Sequence, residues 1–294
     1  MNTQVQPASA IPSPDAATES LLTRIRDNVI GERMPMDTPF GQRPLIYADY
    51  TASGRALTFI EDAIRNQVLP WYANTHTETS ATGRQTTSFR EQARAAVRKS
   101  VNAGDDHAII FCGSGATAAV NRLVDCLGLR ADSYARIGGT PGEIADEQRP
   151  VVFIGPYEHH SNDLPWRESV AEVVTIPQNN AGGVDLQALQ EALDDYAARP
   201  LKIGSFSAAS NVTGIRTDVE AVTRLLHLND ALSFWDYAAA APYVGIDVQG
   251  KDSLASKDAL FISPHKFVGG PGTPGILIVR RNLLPETQPA VTGG

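Results

Sequence analysis

Residues 108–127, AIIFCGSGATAAVNRLVDCL, read as an apolar strand (108–112), a Gly-rich turn (113–115) and a helix (116–127). The same rhythm repeats downstream. Strand patterns fall at 151–154, 171–176, 202–207, 231–235, 259–263 and 276–279, and helical patterns at 185–197 and 218–229. Apolar strands alternating with amphipathic helices predict an α/β fold, a mostly parallel sheet covered by helices on both faces. Upstream, Leu21, Leu22, Ile25 and Val29 suit a short helix, 45–49 an extended segment, 57–69 a helix stopped by Pro70, and 88–101 a helix capped by Ser88 with Glu91 three residues on.

The chain has 294 residues, 42% hydrophobic and 20% charged, which is ample for a large core and excludes a disordered or fibrous protein. A net charge of −8 argues against nucleic acid or an anionic membrane as the main partner. No apolar run is long enough to span a bilayer, and the first residues lack a signal peptide's basic start and apolar stretch. Two cysteines, Cys112 and Cys126, make neither a disulfide framework nor a metal cluster, so a reduced, cytoplasmic setting is expected. Residues 1–18, rich in Pro, Ser, Ala and Thr, read as a flexible arm.

In open parallel sheets, ligands bind beyond the carboxyl ends of the strands. The polar groups of this chain gather at such ends: Ser114 and Gly115, His159, Asn211, Asp236 and Lys266. Lys266 is one of five lysines and lies among apolar and small residues in 261–270, FISPHKFVGG. The other four, Lys99, Lys202, Lys251 and Lys257, read as solvated. Desolvation of Lys266 would free its amine to attack a carbonyl; a snorkelling lysine at a sheet edge is the plainer reading. Asp236, ending an apolar strand before an alanine run, needs either a cationic partner or a helix N-terminus to cap. The loop 113–117 is either a phosphate cradle or a tight turn, and is not a Walker loop because no Gly-Lys-Ser/Thr follows. His159 and His160 admit metal binding, stacking or acid–base work, or a plain structural place.

Together these stretches resemble the class V aminotransferase family of pyridoxal phosphate (PLP) enzymes, which includes the cysteine desulfurases. Ser263-Pro264-His265-Lys266 resembles the family's Ser-x-His-Lys, and 158–166, EHHSNDLPW, its Glu-His-His-(Ser/Ala)-Asn-x-x-Pro-Trp. Ser210-Asn211-Val212-Thr213-Gly214 is similar to Ser-Asn-x-x-Gly, and 115–121, GATAAVN, to its phosphate loop. The resemblance implies PLP fold type I, the aspartate aminotransferase-like architecture. It implies residues 19–45 as an N-terminal piece of a small domain and 46–294 as the cofactor-binding large domain. It further implies that Lys266 forms the Schiff base and shuttles a proton, and that Asp236 holds the pyridine nitrogen. His159 would stack on the ring, Asn211 would reach the ring hydroxyl, and Thr117, Ser263, His265 and the Gly115–Ala116 backbone would hold the phosphate.

The implied activity is removal of sulfur from L-cysteine to give alanine, in a homodimer, with an amino-acid substrate and a possible sulfur-acceptor protein. Other readings are a different class V reaction (β-elimination, kynureninase-like cleavage, epimerisation or transamination) or a truncated, non-catalytic PLP-binding relative. A phosphate-binding protein and a metal hydrolase stand further off. Two departures from the family pattern are present. Ala239 stands where the family usually has Gln, and the chain stops at Gly294, where members continue into a C-terminal small domain carrying the substrate-carboxylate arginine and the persulfide cysteine. Neither Cys112 nor Cys126 matches that cysteine, and both read as buried.

Overall fold

The computed structural model describes residues 15–75, 79–130 and 144–284. Seven strands form the main sheet: β3 (His107–Cys112), β4 (Val151–Ile154), β5 (Glu172–Thr175), β6 (Lys202–Ser207), β7 (Leu232–Asp236), β8 (Ala259–Ile262) and β9 (Gly275–Arg280). Their order is β3-β9-β8-β7-β6-β4-β5. Pairing is parallel from β8 to β5, and β9 runs antiparallel between β3 and β8. The strands are largely apolar because both faces are covered. Phe153, Phe206, Trp235, Leu260 and Ile278 belong to one core, and Val152, Ile203, Phe234, Phe261 and Leu277 to the other.

Helix α4 (Gly115–Cys126) closes the second core with Ala119, Val120, Leu123 and Val124, all fully buried. Each fully buried Leu or Val stabilises the fold by about 1.5–3 kcal/mol. Helices α6 (Leu186–Asp195) and α7 (Val219–Leu228) cover the first core through Leu189, Leu193, Val222 and Leu226. Both are capped at the N-terminus by aspartates, Asp185 and Asp218. The four-residue α5 (Leu164–Arg167) buries Trp166 against Phe234.

The N-terminal third departs most from its sequence reading. Residues 1–14 of the expected arm lie outside the described residues, and the rest of it enters α1 (Ala16–Asp27), capped by Asp15. A hairpin, β1 (Pro35–Thr38) with β2 (Gly41–Pro44), has no apolar alternation to betray it, because nearly all its residues are exposed. Residues 45–49 join no sheet; the Tyr47 hydroxyl donates to the Asp49 and Ser53 carbonyls and holds a loop. Beyond α2 (Thr58–Ala63), helical turns run through Pro70, which lies in the opening turn of a 3-10 segment where its missing N–H has no partner to lose. Helix α3 (Ala81–Ser100) starts two turns earlier than expected, because Ser80 and not Ser88 is the cap, its Oγ accepting the Gly83 N–H at 3.1 Å. The polar opening of α3 hides that start from an apolar-period reading.

One close approach fixes where α4 begins. A Cβ on Gly275 of β9 would lie 2.0 Å from the Gly115 carbonyl oxygen. Gly275→Ala is therefore expected to cost about 2 kcal/mol in urea unfolding. Gly245→Ala, where nothing lies within 4 Å of the added Cβ and φ is not positive, is expected to be neutral or mildly stabilising in the same assay.

Candidate active site

The strand ends converge on one cavity of about 440 Å³. All nine residues singled out from the sequence line it: Gly115, Ala116 and Thr117 from α4, His159 after β4, Asn211 after β6, Asp236 at the end of β7, and Ser263, His265 and Lys266 after β8. Ala239 faces it too, so no amide stands at that position.

Asp236 is 4% exposed, and its Oδ1 accepts the Ala238 N–H at 2.7 Å. That bond caps a turn and no helix follows, so Oδ2 is left to the cavity. Burial pushes the carboxyl up to about 6 against the pull of the Ala238 N–H and of Lys266. Lys266 is half-buried; burial lowers the affinity of its amine for a proton, and Asp236 and Asp49 oppose that without reversing it. The lysine is thus neither a solvated charge nor a snorkelling one. Lys202 and Lys257, read as solvated, are 8% and 6% exposed, because each turns its ammonium onto a nearby carbonyl, of Ala197 and Ala255.

At the other end of the cavity, α4 presents its first backbone N–H groups. Gly115 has φ +58°, and a Cβ there would lie 2.7 Å from His265 Cε1. The Ala116 N–H donates to Ser263 Oγ at 2.8 Å, which leaves the hydroxyl proton free to donate. Ser114 caps with no side-chain bond, so the helix N-terminus keeps unpaired donors beside that hydroxyl. His265 is held below its usual value by burial and by Lys266.

His159 lies at the mouth. Its Nδ1 accepts the Ser161 N–H at 3.2 Å and lies 2.8 Å from the Ser161 hydroxyl, so the neutral ring carries its proton on Nε2. Burial, Lys266 and His160 lower its proton affinity. Among the described residues no group of three or more His, Cys, Asp or Glu comes together to hold a metal ion. Burial raises both thiols; Cys112 ends β3 in the core, and Cys126 is half-buried rather than buried because it is the last residue of α4.

Sequence reasoning missed Asp49, Thr51 and Ala52, which a loop outside the sheet brings to the cavity. It also passed over Glu158 and Ser207. Glu158 Oε1 accepts the Ser207 N–H at 2.8 Å, and Oε2 accepts from the Ser207 hydroxyl at 2.6 Å and from Asn162 Nδ2 at 2.7 Å. Burial, aided by Asp236, pushes Glu158 up to about 7 against these bonds. Its place in 158–162 beside His159 was the available signal.

The fold is that of solved cysteine desulfurases. The apo cysteine desulfurase of Thermococcus onnurineus superimposes with a TM-score of 0.67 at 22% identity, over 85% of this chain and 57% of that one. The cysteine desulfurase CsdA of Escherichia coli gives 0.60 at 24% identity, over 81% and 54%. In sequence, a probable cysteine desulfurase of Halalkalibacterium halodurans is 28% identical over 265 residues, which are 88% of this chain and 59% of that protein. One of Vibrio cholerae is 31% identical over 255 residues, 85% and 57%. The aminotransferase class-V family profile matches residues 46–294, and the chain belongs to that family. It spans about three-fifths of the length of these relatives. Among the described residues no helix is long and apolar enough to cross a membrane.

Two buried carboxyls with raised proton affinity make a pH signature. The folded protein binds protons that the unfolded chain has released, so stability falls as pH rises through the gap. For Asp236 that gap runs from 3.8 to about 6, and for Glu158 from 4.5 to about 7. Cofactor-free protein should lose stability from pH 4 to 7 in thermal melts; Asp236→Asn should flatten the lower part of the decline and Glu158→Gln the upper.

Proposed function

We propose that the cavity binds pyridoxal phosphate and that the protein acts on an amino acid, with L-cysteine desulfuration as the first reading. The observation that carries this is the juxtaposition of a desolvated lysine, a buried carboxylate with one free oxygen, and an unpaired helix N-terminus in a single cavity of about 440 Å³. The donor set fits the group. A phosphate suits the α4 N-terminus with Ser263 Oγ, Thr117 and His265, and a protonated ring nitrogen suits Asp236 Oδ2. The cofactor, when bound, supplies an electron sink for carbanion chemistry at the substrate's α-carbon.

The chain's own residues do the rest. Lys266 Nζ, its proton affinity lowered by burial, would supply the amine for the carbonyl and a base for the α-proton. Asp236 gives up its high proton affinity when a cation comes within reach, and then holds the ring proton at Oδ2. His159 offers a flat face and an Nε2–H donor at the mouth. Asn211, which lines the cavity, would reach a ring hydroxyl, and Ala239 would add no second donor there. The desulfurase reading rests on the names of the sequence relatives, and applies to a whole protein of their length.

Titration with pyridoxal phosphate should give a visible absorption band, with borohydride then fixing the cofactor on the Lys266 peptide. Lys266→Ala should give neither. Asp236→Ala should weaken cofactor binding about a hundredfold, since a buried ring charge without its partner costs about 3 kcal/mol. Absence of the band and of the labelled peptide in the unaltered chain would overturn the cofactor assignment. Given the band, failure to release alanine from L-cysteine in the presence of a dithiol, which takes up the sulfur and reduces it to sulfide, with turnover of another amino acid, would move the substrate reading.

A further inference from the structure

Behind one wall of the cofactor cavity lies a buried acid whose hydrogen-bond partners are all neutral. Glu158 follows β4, and its carboxyl folds back against the strand end, where a Cβ on Gly155 would lie 2.5 Å from Oε1. Oε1 accepts the Ser207 N–H at 2.8 Å, and Oε2 lies 2.6 Å from the Ser207 hydroxyl and 2.7 Å from Asn162 Nδ2. Ser207 lines the cavity, and Glu158 stands behind it. Among the described residues no cation pairs with Glu158; the charged group that bears on it is Asp236, of like sign, at the end of β7.

Counting donors fixes where a proton can sit. Asn162 cannot turn its amide over: Oδ1 accepts the Ser205 hydroxyl at 2.6 Å and the Trp166 Nε1–H at 3.3 Å, and Nδ2 also donates to the Ser205 carbonyl at 3.3 Å. Nδ2 therefore points a hydrogen at Glu158 Oε2, and the Ser207 amide points one at Oε1. The contact between Oε2 and Ser207 Oγ is the one that can hold a proton on either side. With Glu158 ionised, Ser207 donates to it and turns only lone pairs to the cavity. With Glu158 neutral, its own O–H donates to Ser207 Oγ, and the Ser207 hydroxyl is free to donate into the cavity. A buried carboxyl without a cation, beside a second acid, favours the neutral form, and Glu158 is accordingly pushed up to about 7.

Ser207 pairs in register with Asp236 across β6 and β7, so it stands on the strand next to the carboxyl offered to a ring nitrogen. Neighbouring strands lie about 4.8 Å apart, within the span of one six-membered ring and its substituents. On a pyridoxal ring the polar edge atom besides the nitrogen is the hydroxyl oxygen, and Ala239 brings no donor to it. We propose that Ser207 is a further ligand-contacting residue of this cavity, its hydroxyl donating to the ring oxygen of the cofactor, and that Glu158 is the positioning residue that holds Ser207 as a donor by keeping a proton of its own. The proposal rests on the cofactor reading above. Around Glu158, β6 brings Ser207 and the turn after β4 brings Asn162, neither charged, and β7 brings Asp236. His159, next in the chain, faces the cavity and answers to burial, Lys266 and His160.

The test is equilibrium dialysis of the full chain with two ligands that cannot bond covalently to Lys266: pyridoxine phosphate, and the analogue in which hydrogen replaces the ring hydroxyl. The unaltered chain and Ser207→Ala are compared at about pH 5.5 and about pH 8.5, on either side of the value for Glu158. Ser207→Ala removes one oxygen from a strand end and should fold. At the lower pH it should weaken pyridoxine phosphate about fivefold and leave the analogue within about twofold. At the higher pH, where Glu158 claims the Ser207 proton, the loss should shrink to less than about twofold. A general disturbance of the cavity would weaken both ligands alike, so the selectivity reads the hydrogen bond itself. An equal loss with both ligands, or none with either, would overturn the contact. A selective loss that persists at the higher pH would overturn the part given to Glu158. Binding of neither ligand by the unaltered chain would instead overturn the cofactor reading, and this proposal with it.

Discussion

A carboxyl group 4% exposed, with one backbone N–H as its donor, is costly to keep in a folded protein. Asp236 holds that position because β7 lies at the middle of the sheet, between β6 and β8, with apolar layers on both faces. The strand cannot shift without dragging Phe234 and Trp235 out of their cores. The carboxyl is therefore kept out of water until a cation reaches it. Glu158 and Lys266 both feel its charge, although burial is the larger cause at each.

The opposite end of the cavity depends on a steric constraint. The antiparallel strand β9 passes so close to Gly115 that only glycine fits at 275. That contact sets where α4 starts. Ser263, at the end of β8, then ties its hydroxyl to the Ala116 N–H, so the donors of the helix N-terminus and the loop carrying Lys266 move as one piece. An acid at one end and the unpaired donors of the α4 N-terminus at the other line one cavity.

The same rigid layer serves two sides. Alternate residues past the ends of β6 and β7 turn to opposite faces, so Asp236 and Tyr237, neighbours in the chain, end in different cavities.

Much of this was legible in the chain. The family resemblance placed Ala116, Thr117, Ser263 and His265. The apolar runs and Gly-rich turns placed seven strands to within a residue or two, and the rule that ligands gather beyond the strands placed Gly115, His159, Asn211, Asp236 and Lys266. Both rest on local chemistry, which a linear sequence carries in full. Only the tertiary structure decided what depends on contacts between distant segments. It brought the loop at Asp49 to the cavity and buried Lys202 and Lys257. In each case a side chain's surroundings come from residues far off in the chain, and no local period or spacing records them.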